Sequence, residues 1–169
     1  IHPGRPMSTL DQAPPAIRDL RPRRVVVFTG AGGSAGSGMP TFRGAVGLWR
    51  NFRAEDLATP EAFDRDPALV WEWYEMRRSI IRGVQPNAAH LAIAKLTNAV
   101  VVTQNVDGLH ARAGSADIIE LHGNLFRVRC TSEGLRTDRA DALDAVPPRC
   151  DCGALLRPHV VWFGAVLPE

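Results

Sequence analysis

Lysine is almost absent from these 169 residues: Lys95 stands alone, and arginine supplies the rest of the 20 basic side chains. Against 18 acidic residues this leaves a formal net charge of +2, too small to mark nucleic acid or a membrane surface as a partner. The arginine excess itself reads as compositional bias. Cysteine is scarce and odd in number, three in all, which argues against a disulfide framework and suits a reducing cytoplasm. No apolar run approaches the length of a membrane span, and nothing resembles a secretion signal. A hydrophobic share of 45% over this length predicts one domain with a substantial core.

What the chain does have is glycine bunched behind an apolar run. Val25-Val26-Val27-Phe28 leads into GAGGSAGSGMPTFRG, residues 30–44. A β-branched run ending in closely spaced glycines predicts a buried strand, Arg24 to Thr29, feeding a turn where backbone must approach something bulky and charged. Gly30, Gly32 and Ala35 fit the G-x-G-x-x-G/A spacing, in which missing side chains let a pyrophosphate reach the amides of a helix N-terminus. Ordinary turn chemistry is the alternative reading. A short helix is expected near Ala35 to Gly38, then a loop from Thr41 to Phe52. Phe42 could cover a reactive sugar carbon and Arg43 could meet phosphate or ribose; loop packing and a solvated charge would look the same in sequence.

Further along, Thr59-Pro60 and Asp66-Pro67 read as helix caps with proline at the first helical position. Leu69, Trp73, Met76 and Ile80 recur at helical spacing, predicting a helix from Pro67 to Arg82 that stops at Gly83. On it, Tyr74 and Arg77 lie three apart and share a face; a tyrosine at the core margin beside a solvated arginine is the bland account. Pro86 opens another helix through Leu96. Ala99 to Thr103 and Asp117 to Leu121 are the next strands. Each ends in polar residues, Gln104, Asn105 and Asp107 after the first and His122 after the second, where open α/β sheets place ligands. Asp107 can accept a hydrogen bond from a carboxamide, Asn105 and Gln104 can address ribose or a water, and His122 can move a proton near neutral pH.

The segments GAGGSAGSGMPTFRG, Gly47-Leu48-Trp49, Thr103 to His110, Glu120-Leu121-His122-Gly123 and Leu156 to Gly164 together resemble the sirtuins, the NAD-dependent protein deacylases. The resemblance spans nearly the whole chain, departing in the first motif at Met39. It implies a Rossmann-like α/β fold with a parallel sheet and flanking helices, divided into a lead-in at 1–22, an NAD-binding region at 23–123 with a helical insertion at about 53–85, a small zinc-ribbon-like lobe at 124–157, and a return to the sheet at 158–169 through a strand spanning His159 to Gly164. Residues 1–6, which precede Met7, read as appended or upstream sequence. Because sirtuin cores run on past the WFG segment, the resemblance also implies that the C-terminal part of the sheet lies outside this chain.

Site roles follow from the same resemblance. NAD would be held by Gly30, Ala31, Gly32, Ser34, Ala35, Thr41, Phe42, Arg43, Trp49, Gln104, Asn105 and Asp107, with His122 as general base. WEWYEMRR resembles the Tyr-x-x-Arg segment of the class that removes acidic acyl groups, which gives Tyr74 and Arg77 the distal carboxylate of succinyl- or malonyl-lysine. Val160, Trp162 and Phe163 would meet the acylated peptide, although Ala165 replaces a glutamate frequent in the family. The lobe departs further. Family members hold structural zinc with two Cys-x-x-Cys pairs; here Cys130 matches, Glu133 stands where the second cysteine belongs, and Cys150-Asp151-Cys152 has one intervening residue. Three thiolates and a carboxylate lie within zinc's ligand range, and a lobe without metal is the alternative.

Two rivals stay open. An oxidoreductase would use the same turn but needs an acidic residue ending a second strand roughly 20 residues on, where 44–59 reads as loop. An NAD-binding module without turnover is the other.

Overall fold

The computed structural model describes residues 22–39 and 49–167. Strands β1 (Val25–Thr29), β2 (Ala99–Thr103) and β3 (Ile118–Glu120) form a parallel sheet in the order β1-β2-β3. Thr29 pairs with Thr103, and Thr103 with Glu120, so the three strands finish level at one edge. Parallel strands need crossovers. The first carries α1 (Ala31–Ala35), α2 (Ala54–Leu57), α3 (Pro60–Arg65), α4 (Pro67–Gly83) and α5 (Ala88–Ala94); the second carries α6 (Leu109–Arg112). This is the Rossmann-like α/β architecture expected. The first strand, expected to be buried, is not: Val26 and Phe28 of β1, with Ile119 of β3, stand largely exposed on one face of the sheet.

The caps work as the spacing implies. Thr59 Oγ1 accepts from the amide of Ala62 at 3.1 Å and Asp66 Oδ1 from that of Leu69 at 3.0 Å, each ahead of a proline that has no amide to orphan. At α5, Asn87 Oδ1 accepts from the amides of Ala89 and His90, while its Nδ2 donates to the carbonyl of Gly33 at 2.8 Å. One side chain therefore starts a helix and anchors the glycine turn.

The second sheet is antiparallel, with β4 (Gly123–Cys130) lying between β5 (Arg136–Asp138) and β6 (Leu156–Val160). Its inner face packs on α2 to α4. Trp71, Trp73, Tyr74 and Ile81 of α4 meet Leu125, Val128 and Trp162 in one buried cluster; each fully buried side chain of the Leu or Phe kind contributes roughly 1.5–3 kcal/mol of gross burial. Several polar groups in this core are hydrogen-bonded. Trp71 Nε1 donates to the carbonyl of Leu156 at 2.7 Å, and Trp162 Nε1 to the Tyr74 hydroxyl at 2.9 Å. Arg78, fully buried, pairs with Glu75 at 2.7 Å and donates to the carbonyls of Leu125, Arg139 and Asp141, tying α4 to the lobe. Among the described residues no helix is long and apolar enough to cross a membrane.

Three further expectations are corrected. The helix after the glycine turn spans Ala31–Ala35 rather than Ala35 to Gly38, because Gly30 is the last extended residue and the chain coils at once, with Gly33 N reaching back to the Gly30 carbonyl at 2.8 Å. Part of 44–59, read as loop ahead of the helical insertion placed at about 53–85, is α2, whose first turn is held by Asp56 Oδ2 accepting from the Arg53 amide at 2.8 Å. The last strand is Leu156–Val160, not His159 to Gly164, and it pairs with β4 rather than returning to the parallel sheet. Beyond Val160, the amides of Val161 and Phe163 bond the carbonyls of His122 and Ala58, so the segment is drawn across the helices instead of extending a ladder.

Candidate active site

The level edge of the parallel sheet brings three turns together. The amide of Gln104 donates to the Thr29 carbonyl at 3.0 Å, joining the end of β2 to the start of the glycine turn. A Cβ on Gly30 would lie 3.7 Å from Gln104 Oε1, whereas one on Gly32 would meet nothing within 4 Å, so the absent side chain there leaves open space above the backbone. Ala31 and Ala35 bound α1 at either end. Ser34, on the same helix, turns inward and is buried.

Beneath this cradle lies a closed polar network. Ser34 Oγ donates to Asp107 Oδ2 at 2.7 Å; Asp107 Oδ1 accepts from the amide of Leu109 at 2.9 Å. Asn105 Nδ2 donates to Ser34 Oγ and to the Gly30 carbonyl, both at 3.0 Å. The amide of Asn105 donates to Thr103 Oγ1 at 3.0 Å, and Thr103 Oγ1 also accepts from Thr29 Oγ1 at 2.8 Å. With its proton committed to Thr103, Thr29 Oγ1 accepts from His110 Nε2 at 3.0 Å, which fixes that histidine's tautomer. His110 stacks edgewise on His90, ring centroids 4.7 Å apart. Burial holds both imidazoles below their ordinary value, so both are neutral near pH 7. Thr29, Thr103, His90 and His110 were missing from the sequence reading of the site. The level register of β1 and β2, which puts two threonines side by side, is the signal that would have found them.

His122 follows β3 and shares this edge. Its Nδ1 lies 3.0 Å from the Gln104 carbonyl, an atom that can only accept, so Nδ1 carries a proton and, in the neutral ring, the lone pair is on Nε2. A neutral imidazole in that tautomer can take a proton from a hydroxyl presented at Nε2. The carbonyl of His122 in turn accepts from Val161 N at 2.9 Å, linking the histidine to the segment after β6.

Of the expected peptide-side residues, Val160 and Trp162 are buried and Phe163 is exposed. Trp162 lies under the Arg157 guanidinium, 3.5 Å from its ring centroid, and beside Phe63 at 5.3 Å. Tyr74 and Arg77 sit inside the same region. Arg77 lies over the rings of Trp73 at 4.8 Å and Tyr74 at 5.9 Å. Burial pushes the Tyr74 phenol up to about 12 although the Arg77 charge opposes it, so the phenol keeps its proton. Burial lowers Arg77 from its ordinary value, against the pull of Tyr74 and Asp107. Trp49 packs against the helical core and forms a two-residue bridge with Phe52. Thr41, Phe42 and Arg43 lie outside the described residues.

In the lobe, Cys130, Glu133, Cys150 and Cys152 converge, their ligand atoms all within 4.8 Å of one another. Cys130 Sγ is 3.5 Å from Cys152 Sγ, and Cys150 Sγ is 3.8 Å from Glu133 Oε2. The amide of Glu133 donates to Cys130 Sγ at 3.4 Å and, with the Ser132 amide, holds that thiol below its usual range against the opposing effect of burial.

Comparison with known proteins agrees with this geometry. Residues 30–169 match the Sir2 family. A relative named NAD-dependent protein deacylase from Aquifex aeolicus is 55% identical over 150 residues, covering 85% of this chain and 63% of its own length. A Sir2 homologue triple mutant solved with 2′-O-acetyl ADP ribose superposes with TM-score 0.80 at 51% identity, covering 87% of this chain and 61% of that one. A Sir2 homologue solved with NAD gives TM-score 0.77 at 50% identity, covering 85% and 58%. The chain thus spans about 60% of the length of the proteins it matches.

Proposed function

The chain belongs to the Sir2 family, and from that membership we propose that it carries the catalytic base and the nicotinamide-side pocket of an NAD-dependent protein-lysine deacylase. The observation that carries this reading is the His122 tautomer: Nδ1 is committed to the Gln104 carbonyl, which in the neutral ring leaves the lone pair on Nε2, at the same sheet edge as the glycine cradle. NAD supplies a ribose that accepts the acyl group as nicotinamide leaves. The backbone of Gly30, Ala31, Gly32 and Ala35 would receive the pyrophosphate, which the open space over Gly32 supports. Asn105 and Asp107, locked by Ser34 and the Leu109 amide, would orient the carboxamide. Thr41, Phe42, Arg43 and Trp49 would close over the sugar. His122 Nε2 would take the proton of a ribose hydroxyl.

For the acyl group, we infer that Tyr74 and Arg77 favour a distal carboxylate, as in succinyl- or malonyl-lysine. A planar guanidinium can receive a carboxylate bidentately, and a phenol raised to about 12 stays a donor at every physiological pH. Val160, Trp162 and Phe163 would border the acyl-lysine stem on a protein or peptide substrate.

In the full-length protein, His122→Tyr should abolish nicotinamide release driven by an acylated peptide while leaving the far-ultraviolet circular dichroism unchanged. Retained turnover refutes the base assignment. Arg77→Met should weaken desuccinylation far more than deacetylation; equal losses remove the carboxylate role.

A further inference from the structure

Zinc chemistry in this family is expected from four sulfurs, and this chain has only three. We propose that Glu133 supplies the missing ligand, so that Cys130, Glu133, Cys150 and Cys152 form a three-thiolate, one-carboxylate zinc centre.

The backbone builds two facing knuckles. In the first, the Gly134 amide donates to the Cys130 carbonyl at 3.0 Å and the Leu135 carbonyl accepts from the Cys130 amide at 2.9 Å, so the chain doubles back within five residues. In the second, the Gly153 amide donates to the Cys150 carbonyl and the Ala154 carbonyl accepts from the Cys150 amide, both at 2.8 Å. Gly134 and Gly153 both adopt positive φ, 69° and 86°, the conformation that closes such turns. Thr131 N bonds the Leu155 carbonyl at 3.0 Å and sets the knuckles face to face. On an extended strand the side chains of Cys150 and Cys152 would share a face but stand about 6.5 Å apart along the chain, too far for one ion. The tight turn curls both thiols inward, which is how one intervening residue does the work of two.

The distances fit a tetrahedral ion. Zinc–sulfur bonds of about 2.3 Å place two sulfurs about 3.8 Å apart, against 3.5 Å for Cys130 and Cys152. Zinc–oxygen bonds of about 2.0–2.2 Å place sulfur and oxygen about 3.5 Å apart, against 3.8 Å for Cys150 and Glu133. The remaining pairs all lie within 4.8 Å, so none needs to close by more than about 1 Å. Charge is balanced too. A divalent ion with three thiolates and one carboxylate carries two net negative charges, the same as four thiolates. Arginines flank both knuckles: Arg149 Nη1 donates to the Gly153 carbonyl at 2.8 Å, and Arg129 Nη2 lies 3.7 Å from where a Cβ on Gly134 would be.

Zinc binds thiolate in place of thiol, so uptake releases protons from the cysteines. The test uses the full chain, reduced and stripped of metal, with zinc alone or cobalt(II) alone as the probe. The wild type should take up one zinc, release protons, and give with cobalt the visible spectrum of a tetrahedral thiolate site. Glu133→Cys should bind more tightly, release more protons than the wild type and gain about a third in sulfur-to-cobalt charge-transfer intensity. Glu133→Gln, conservative at an exposed position, should lose affinity about 10- to 100-fold with its circular dichroism intact. The proposal is overturned if Glu133→Gln binds as the wild type does, if Glu133→Cys releases no extra proton, or if the reduced wild type takes up no stoichiometric metal and forms a Cys130–Cys152 disulfide instead.

Discussion

Replacing Gly123 by alanine should be among the most damaging single-methyl changes in the chain. Gly123 opens β4 directly after His122 and adopts φ +79°, where a Cβ would sit 2.1 Å from the carbonyl oxygen of His159 and 3.2 Å from the Val160 Cα. Both are backbone atoms of β6 and cannot rotate away. Left-handed backbone costs an alanine about 1–2 kcal/mol. Relieving the clash means moving β6 by more than an ångström, at an overpacking cost of about 1–3 kcal/mol. That movement also strains the Val161 N to His122 carbonyl bond of 2.9 Å, worth about 0.5–1.5 kcal/mol. The terms together predict a loss of roughly 2.5–6.5 kcal/mol. Urea denaturation followed by tryptophan fluorescence measures it, and Gly114→Ala is the internal control, because Gly114 has φ +95° with nothing within 4 Å and should lose only the backbone term. If the two variants lose the same amount, the contact with β6 plays no part and the reasoning fails.

Two further outcomes bear on the core and on pH. Tyr74→Phe strips the acceptor from Trp162 Nε1 inside a buried cluster, so it should cost about 1–3 kcal/mol and alter the near-ultraviolet dichroism of the tryptophans; no change in either would mean that the indole has another acceptor. Acid should destabilise the fold before the carboxylates titrate. His159 is held down at about 4 by burial and by Arg136, Arg127, Arg129 and Arg157, and burial lowers His90 and His110 as well. Each takes a proton more readily when unfolded, so stability falls as pH drops below about 6.5 and, for His159, levels off near 4. The His159 share has a ceiling of about 3 kcal/mol, reduced to one or two by solvent screening of the arginines. His159→Gln should flatten that part of the profile, and a profile unchanged by the substitution would refute it.

The strands and helices that sequence alone revealed are those whose signal is local. Val25 to Phe28 and Ala99 to Thr103 carry β-branched runs, and α4 carries both a proline-marked cap and an apolar stripe. What escaped was decided at long range. The helix at Ala31–Ala35 holds two glycines, which no propensity scale favours; it persists because Asn87 and Asp107 grip its Gly33 carbonyl and its Ser34 hydroxyl from elsewhere. β4 did carry a usable clue, since Val128 and Cys130 point inward between the outward Arg127 and Arg129, but the arginine-rich composition around it masked the alternation. The glycine motif, Gln104 to Asp107 and His122 could be read as candidates because each follows a strand. Their interlocking through Thr29, Thr103 and His110 depends on a register that only pairing fixes.

Asn87 ends up governing two things at once. A carboxamide offers an acceptor and a donor on neighbouring atoms of one planar group, and here the oxygen begins α5 while the nitrogen clasps the Gly33 carbonyl. Aspartate could serve the first duty and a cation the second, but neither both. The splint on the glycine turn is therefore only as firm as the first coil of a distant helix, and loosening that coil would be felt as a slackened turn.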